Sequence, residues 1–218
     1  MNSLLIDNVV MHNFCESRLT NYYPPEIVNA YTSLFITCIP IIYGFPKNRY
    51  FFYIAILFIL NGFASLYYHY YLNYIGKISD EICMILINYY CILGFMNVNY
   101  NNQIDNQIVI KQYQNYNQLA TLLFILFNCI QYFDFLFPFL FATYVIPTLY
   151  LSYQISQRYN YNYYSLCFSF IGIICWIVSE VHCNEYTYLG HAIWHITFPL
   201  GVYKLVLLYD RKTLVLIY

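Results

Sequence analysis

The sequence predicts an all-α membrane protein: a bundle of seven transmembrane helices, with the N-terminus luminal or outside and the C-terminus cytosolic. Three observations carry this. Of 218 residues, 61% are hydrophobic and only 9% charged, whereas a soluble domain carries about 25% charged residues. Apolar stretches of membrane-crossing length recur along the whole chain. Lysine and arginine fall unevenly between the segments that join them. The net charge of -1 offers nothing to nucleic acid. The opening residues, MNSLLIDNVV, lack a basic stretch followed by a long apolar core, so no cleavable signal peptide is expected.

A helix needs about 20 mostly apolar residues to cross the hydrocarbon. Seven stretches qualify: 28–45, 51–72, 80–99, 118–136, 138–154, 163–182 and 188–209. The fourth and fifth are separated by almost no loop at LFPFLF, 136–141. Between the third and fourth, NYNNQIDNQIVIKQYQNYNQ (99–118) reads as a solvated loop. Seven crossings put the termini on opposite sides. With the N-terminus outside, the inner segments hold Lys47, Arg49, Lys111, Arg158, Arg211 and Lys212, and the outer ones hold Arg18 and Lys77. Cytoplasmic loops attract the positive charges, and this bias sets the orientation. The chain divides into a luminal N-terminal segment (1–27), a seven-transmembrane domain (28–210) and a short cytosolic tail (211–218).

That topology brings distant polar residues to one depth. Ser65 and His69 lie in the outer part of the second span, Asp80 and Glu81 at the outer mouth of the third, and His191 and His195 on the first outer turns of the seventh. Residues i and i+4 share a helix face, so Ser65/His69 and His191/His195 each point one way. HxxxH on one helix is a familiar zinc-ligand spacing, and a catalytic zinc takes three protein ligands and leaves a position for water. His69, His191 and His195 supply three. Zinc lowers the pKa of bound water towards about 7. Asp80 then suits handling that water, and Ser65 suits donating to the oxyanion formed on a carbonyl.

Taken singly, each residue has an ordinary explanation. A lone histidine in an apolar helix is more often packing than ligand. His69 would snorkel to the headgroups, and Asp80 and Glu81 would be acids favoured by a helix N-terminus. Ionisable groups inside a membrane are costly and usually mark function, however, and the ordinary explanations do not predict five of them converging.

These residues resemble the alkaline ceramidase family. The resemblance runs through SLYYH at 65–69, DEICMIL at 80–86 and GHAIWHI at 190–196, with NFCE at 13–16 and PEIVNAYTS at 25–33 matching the family's N-terminal segments. It covers nearly the whole chain in order. It implies the seven-helix fold shared with adiponectin-type receptors and hydrolysis of the amide bond of ceramide to a sphingoid base and a fatty acid. It also implies zinc on His69, His191 and His195, Asp80 acting on water, Ser65 stabilising the tetrahedral intermediate, and a luminal site in the endoplasmic reticulum or Golgi membrane. The substrate would enter from the bilayer. Cys15 and Cys183 match positions that form a disulfide in the family; the other six cysteines fall in spans.

The sequence also departs from the family. Members carry a calcium site near the N-terminus. Here the leading acid is Asn13, Phe14 replaces tryptophan, Arg18 stands at a later asparagine, and only Glu16 and Glu26 remain. Calcium draws its affinity mainly from carboxylates, so weak or absent calcium dependence is expected, with the Arg18 charge as a candidate substitute for the ion. The family's acid after the tryptophan of the sixth helix is shifted, with Ser179 at the matching place and Glu180 beside it. Three rivals stay open: a hydrolase of another lipid amide or ester, a zinc-bearing receptor of the adiponectin or progestin type, and an inactive structural member. The short N-terminal segment and outer motifs disfavour the receptor. A channel is disfavoured because there is no internal repeat and no charge-lined helix.

Overall fold

A computed structural model describes residues 14–20, 23–100, 106–128, 137–160 and 163–215. The described residues form a short helix, α1 (Cys15–Leu19), and seven long ones: α2 (Ile27–Tyr43), α3 (Arg49–Tyr71), α4 (Tyr74–Tyr100), α5 (Asn106–Asn128), α6 (Phe137–Arg158), α7 (Tyr164–Val181) and α8 (Gly190–Val215). Successive helices α2, α3 and α4 pack side by side, α7 packs along α8, and α8 closes onto α2. α5 and α6 lie against α4.

The interior is aromatic and aliphatic. Phe51, Ile54 and Phe58 of α3 meet Ile36 and Ile39 of α2, Phe95 of α4, and Tyr203, Val206 and Tyr209 of α8. The outside is apolar as well. Phe52, Ile56, Leu60 and Phe63 run down an exposed face of α3, and Ile171, Ile174, Val178 and Val181 down α7. Such stripes at helical spacing suit hydrocarbon rather than water. Four described helices are long and apolar enough to cross a membrane: Arg49–Tyr71, Tyr74–Val98, Tyr164–Val181 and Gly190–Arg211. The chain is thus a multi-pass membrane protein.

The structure corrects several boundaries. The stretch 99–118 was expected to be a solvated loop, yet α4 runs to Tyr100 and α5 begins at Asn106. Hydropathy reports the medium a helix suits, whereas glutamine and lysine are good helix formers in their own right. α5 therefore starts some three turns before its apolar part, Asn117–Leu126. The rest of the expected fourth span, 129–136, lies outside the described residues. α8 continues to Val215, so the expected tail begins as helix.

One boundary matters for function. The third span was expected to begin at 80, with Asp80 and Glu81 at its mouth. The turn is only Leu72 and Asn73: Leu72 closes α3 in the left-handed region (φ 46°), and the Asn73 side chain accepts from Gly76 N at 2.7 Å. Asparagine side chains favour this capping geometry. A Cβ on Gly76 would lie 2.8 Å from Tyr68 Cα, so only glycine lets α4 leave this close to α3. Asp80 and Glu81 consequently sit well inside α4, beyond the first turn, and a helix N-terminus does not account for them.

Candidate metal centre

Three imidazoles converge at one end of the bundle. His69 comes from the last turn of α3, and His191 and His195 from the first turns of α8. Their ring centroids lie 5.0 Å (His69–His191), 5.1 Å (His69–His195) and 4.7 Å (His191–His195) apart. One ligand atom from each falls within 4.8 Å of the others, and all three residues are buried. The start of α8 is set by Gly190, where a Cβ would meet Cys175 O at 2.1 Å. The absence of a side chain there lets α8 begin against α7.

Each ring has its own support. The His69 Nδ1 faces Glu26 Oε2. A carboxylate only accepts, so His69 carries its proton on Nδ1 and leaves Nε2 basic. The His195 Nδ1 lies 3.1 Å from Thr32 Oγ1 and 3.4 Å from Ser33 Oγ. The His191 Nδ1 lies 3.7 Å from Glu180 Oε1. His195 Nε2 is buried without a hydrogen-bond partner, while His191 Nδ1 is the nitrogen that faces Glu180. Buried polar atoms are nearly always satisfied, so an orphaned ring nitrogen on His195 within a cluster of three imidazoles fits a bound metal ion. Three neutral imidazoles suit zinc well.

Asp80 flanks the cluster. Asn61 Nδ2 donates to Asp80 Oδ1 at 2.8 Å and to its backbone oxygen at 3.2 Å. Ser65 lies beside the Asp80 carboxylate, close enough to influence it, and Ser33 Oγ donates to Ser65 Oγ at 3.0 Å. Ser65 is thus turned towards Asp80.

Asp80 and His191 both line a cavity of about 310 Å³. One end is polar, with Lys77, Asp80, Glu81, Glu180 and His191; the other holds Met84, Phe137, Pro138, Phe141 and Trp194. Met84, Phe141 and Trp194 also line a smaller space that runs on between Ile36, Phe58 and Val202 towards the bundle core. Phe14, at the family's tryptophan position, closes the site edge-on against His191 at 4.2 Å between ring centroids.

The N-terminal segment is fastened over this end. Cys15 and Cys183 form a disulfide with Cα atoms 5.3 Å apart. Asn13 lies outside the described residues. Glu16 accepts from Val28 N at 2.7 Å and Asn29 N at 2.9 Å, capping α2; burial pushes its carboxyl above the usual range despite these bonds. Glu26 accepts from Phe14 N at 2.9 Å and Ser17 Oγ at 2.6 Å through Oε1. Burial is the largest influence and raises its pKa, but the His69 bond and charge, the Ser17 bond and His191 together outweigh it and hold the carboxyl below the usual range. Arg18 does not reach either glutamate: its guanidinium pairs with Glu180 Oε2 at 2.7 Å.

A scan of protein families matches the Ceramidase family over residues 9–215. The chain belongs to the Ceramidase family. A search of curated proteins returns no match. The residues expected from sequence to form a site, Ser65, His69, Asp80, His191 and His195, lie together here. Sequence reasoning overlooked Asn61 behind Asp80 and Thr32 and Ser33 behind His195, and it assigned Glu26 to a calcium site rather than to His69. Thr32 and Ser33 follow Val28 and Asn29 by one helical turn, a local signal; nothing local marks Asn61.

Proposed function

We propose that the protein hydrolyses the amide bond of ceramide, releasing a sphingoid base and a fatty acid, with zinc on His69, His191 and His195. The observation that carries this is the meeting of three buried imidazoles, one with an orphaned nitrogen, beside a carboxylate at the polar end of an apolar cavity. Bound zinc supplies Lewis acidity, polarising a carbonyl and lowering the pKa of water to about 7.

The chain's own residues do the rest. The apolar end of the cavity receives the hydrocarbon chains and excludes water around the amide. Asp80, held by Asn61 and Ser65, takes the proton of the attacking water and returns it to the leaving amine nitrogen. Once protonated, Asp80 accepts weakly, and the Ser65 hydroxyl is released to donate to the oxygen of the tetrahedral intermediate. Glu26 keeps His69 in the tautomer that leaves Nε2 free.

Calcium has no part in this reading. Glu16 and Glu26 do not fit it, because each of their oxygens already faces an N–H or O–H hydrogen or the His69 ring. Support for a luminal site in the endoplasmic reticulum or Golgi, with seven crossings and a cytosolic C-terminus, comes from the charge asymmetry and from the disulfide, which needs an oxidising compartment.

The test is purified protein in detergent, assayed for cleavage of a fluorescent ceramide and for zinc stoichiometry, beside His195→Ala. The variant should lose turnover and bind less zinc. Full metal and full turnover in His195→Ala would refute the ligand set.

A further inference from the structure

α4 turns four side chains into the cavity at helical spacing: Lys77, Asp80, Glu81 and Met84. Positions i, i+3, i+4 and i+7 share one face. Asp80 belongs to the proposed chemistry and Met84 to the apolar end. Lys77 and Glu81 belong to neither. They are 3% and 7% exposed, and Lys77 Nζ lies 3.7 Å from Glu81 Oε1. An ion pair buried in a membrane-spanning helix is a poor source of stability, since apolar residues of like size replace such pairs at no loss. Ionisable groups at this depth mark function.

We propose that the Lys77–Glu81 pair reads the hydroxyl-bearing head of the substrate and selects neutral over anionic lipid heads. This rests on the amide-hydrolase reading. In ceramide the hydroxyl carbons flank the carbon that bears the amide nitrogen, so the head lies within a few ångströms of the scissile bond. Lys77 precedes Asp80 by about one helical turn, roughly 4.5 Å of rise, which places the pair where those hydroxyls fall when the amide is at Asp80. A hydroxyl both donates and accepts. Glu81 takes its hydrogen and Lys77 donates to its oxygen, while the two charges cancel. A lone lysine would instead favour a phosphate. Glu180 is already paired with Arg18 and Glu81 offsets Lys77, so this corner offers an anionic head no unpaired cation.

The experiment uses purified zinc-loaded protein in mixed micelles with two substrates of the same acyl chain, ceramide and ceramide carrying a phosphate on its primary hydroxyl. Lys77→Gln should raise KM for ceramide about tenfold, the loss of one charge-assisted hydrogen bond, with kcat and zinc content near wild type. Glu81→Gln leaves Lys77 uncompensated and should shift the ratio of kcat/KM towards the phosphorylated lipid by about tenfold or more. Should either single variant fail to fold, Lys77→Met with Glu81→Leu removes both charges together and should fold with a raised KM. Unchanged KM and unchanged headgroup ratio in these variants, with zinc full and wild type active, overturn the proposal. A wild type that cleaves neither lipid would instead bring down the amide-hydrolase reading.

Discussion

Glu26→Gln removes one charge and one acceptor oxygen from a side chain with no exposed surface. Oε1 serves two donors, Phe14 N and Ser17 Oγ, so the glutamine oxygen stays with them and its NH2 turns to His69 Nδ1. An NH2 only donates. Nδ1 must then accept, the ring proton moves to Nε2, and the nitrogen that should face the metal is blocked. Losing such an outer support costs about 10–100-fold in metal affinity, or about 1.4–2.8 kcal/mol at 1.4 kcal/mol per tenfold. A competition titration against a zinc chelator in detergent measures it, with the melting temperature of the zinc-free protein as a folding control. Glu16→Gln is the comparator. It sits in the same segment but bonds Val28 N and Asn29 N, so it should lower the melting temperature through a lost helix cap, about 1–2 kcal/mol, and leave zinc affinity intact. Wild-type zinc affinity in Glu26→Gln, or an equal loss in Glu16→Gln, would refute the reasoning.

Other outcomes follow from the same geometry. Asp80→Asn should keep its zinc, shown by metal analysis, and lose about 10²–10⁴-fold in kcat, the usual share of general acid–base catalysis. Cys15→Ser should abolish the mobility difference between reduced and non-reduced gels and lower the melting temperature. The bridge spans 168 residues, and loop-closure entropy sets an upper bound of about 5 kcal/mol. A chelator selective for calcium over zinc should leave ceramide cleavage unchanged, and a fall in rate restored by added calcium would show that Glu16 or Glu26 holds an ion after all.

Much of this protein was legible in its sequence because the signals are local. An i, i+4 spacing fixes a shared face whatever the helix packs against, so Ser65/His69 and His191/His195 announced themselves. A run of apolar residues announces its medium just as directly. Where a helix begins is a weaker signal: Asn73 capping α4 displaced the start by about a turn and a half, and the polar turns of α5 hid a helix that hydropathy does not register.

What the tertiary structure decided is which side chain faces which across helices. The sequence holds Glu26 and His69 at a separation of 43 residues and Arg18 and Glu180 at 162, and no periodicity joins such positions. The assignment of Glu26 to His69 and of Arg18 to Glu180 rather than to a vacated ion site is made only by the packed helices, and the close approach of α3 and α4 that brings Ser65 to Asp80 is permitted by Gly76. Hydrogen bonds fall off within a few tenths of an ångström, so partners are settled only when the helices have packed, while composition and spacing are settled by the chain alone.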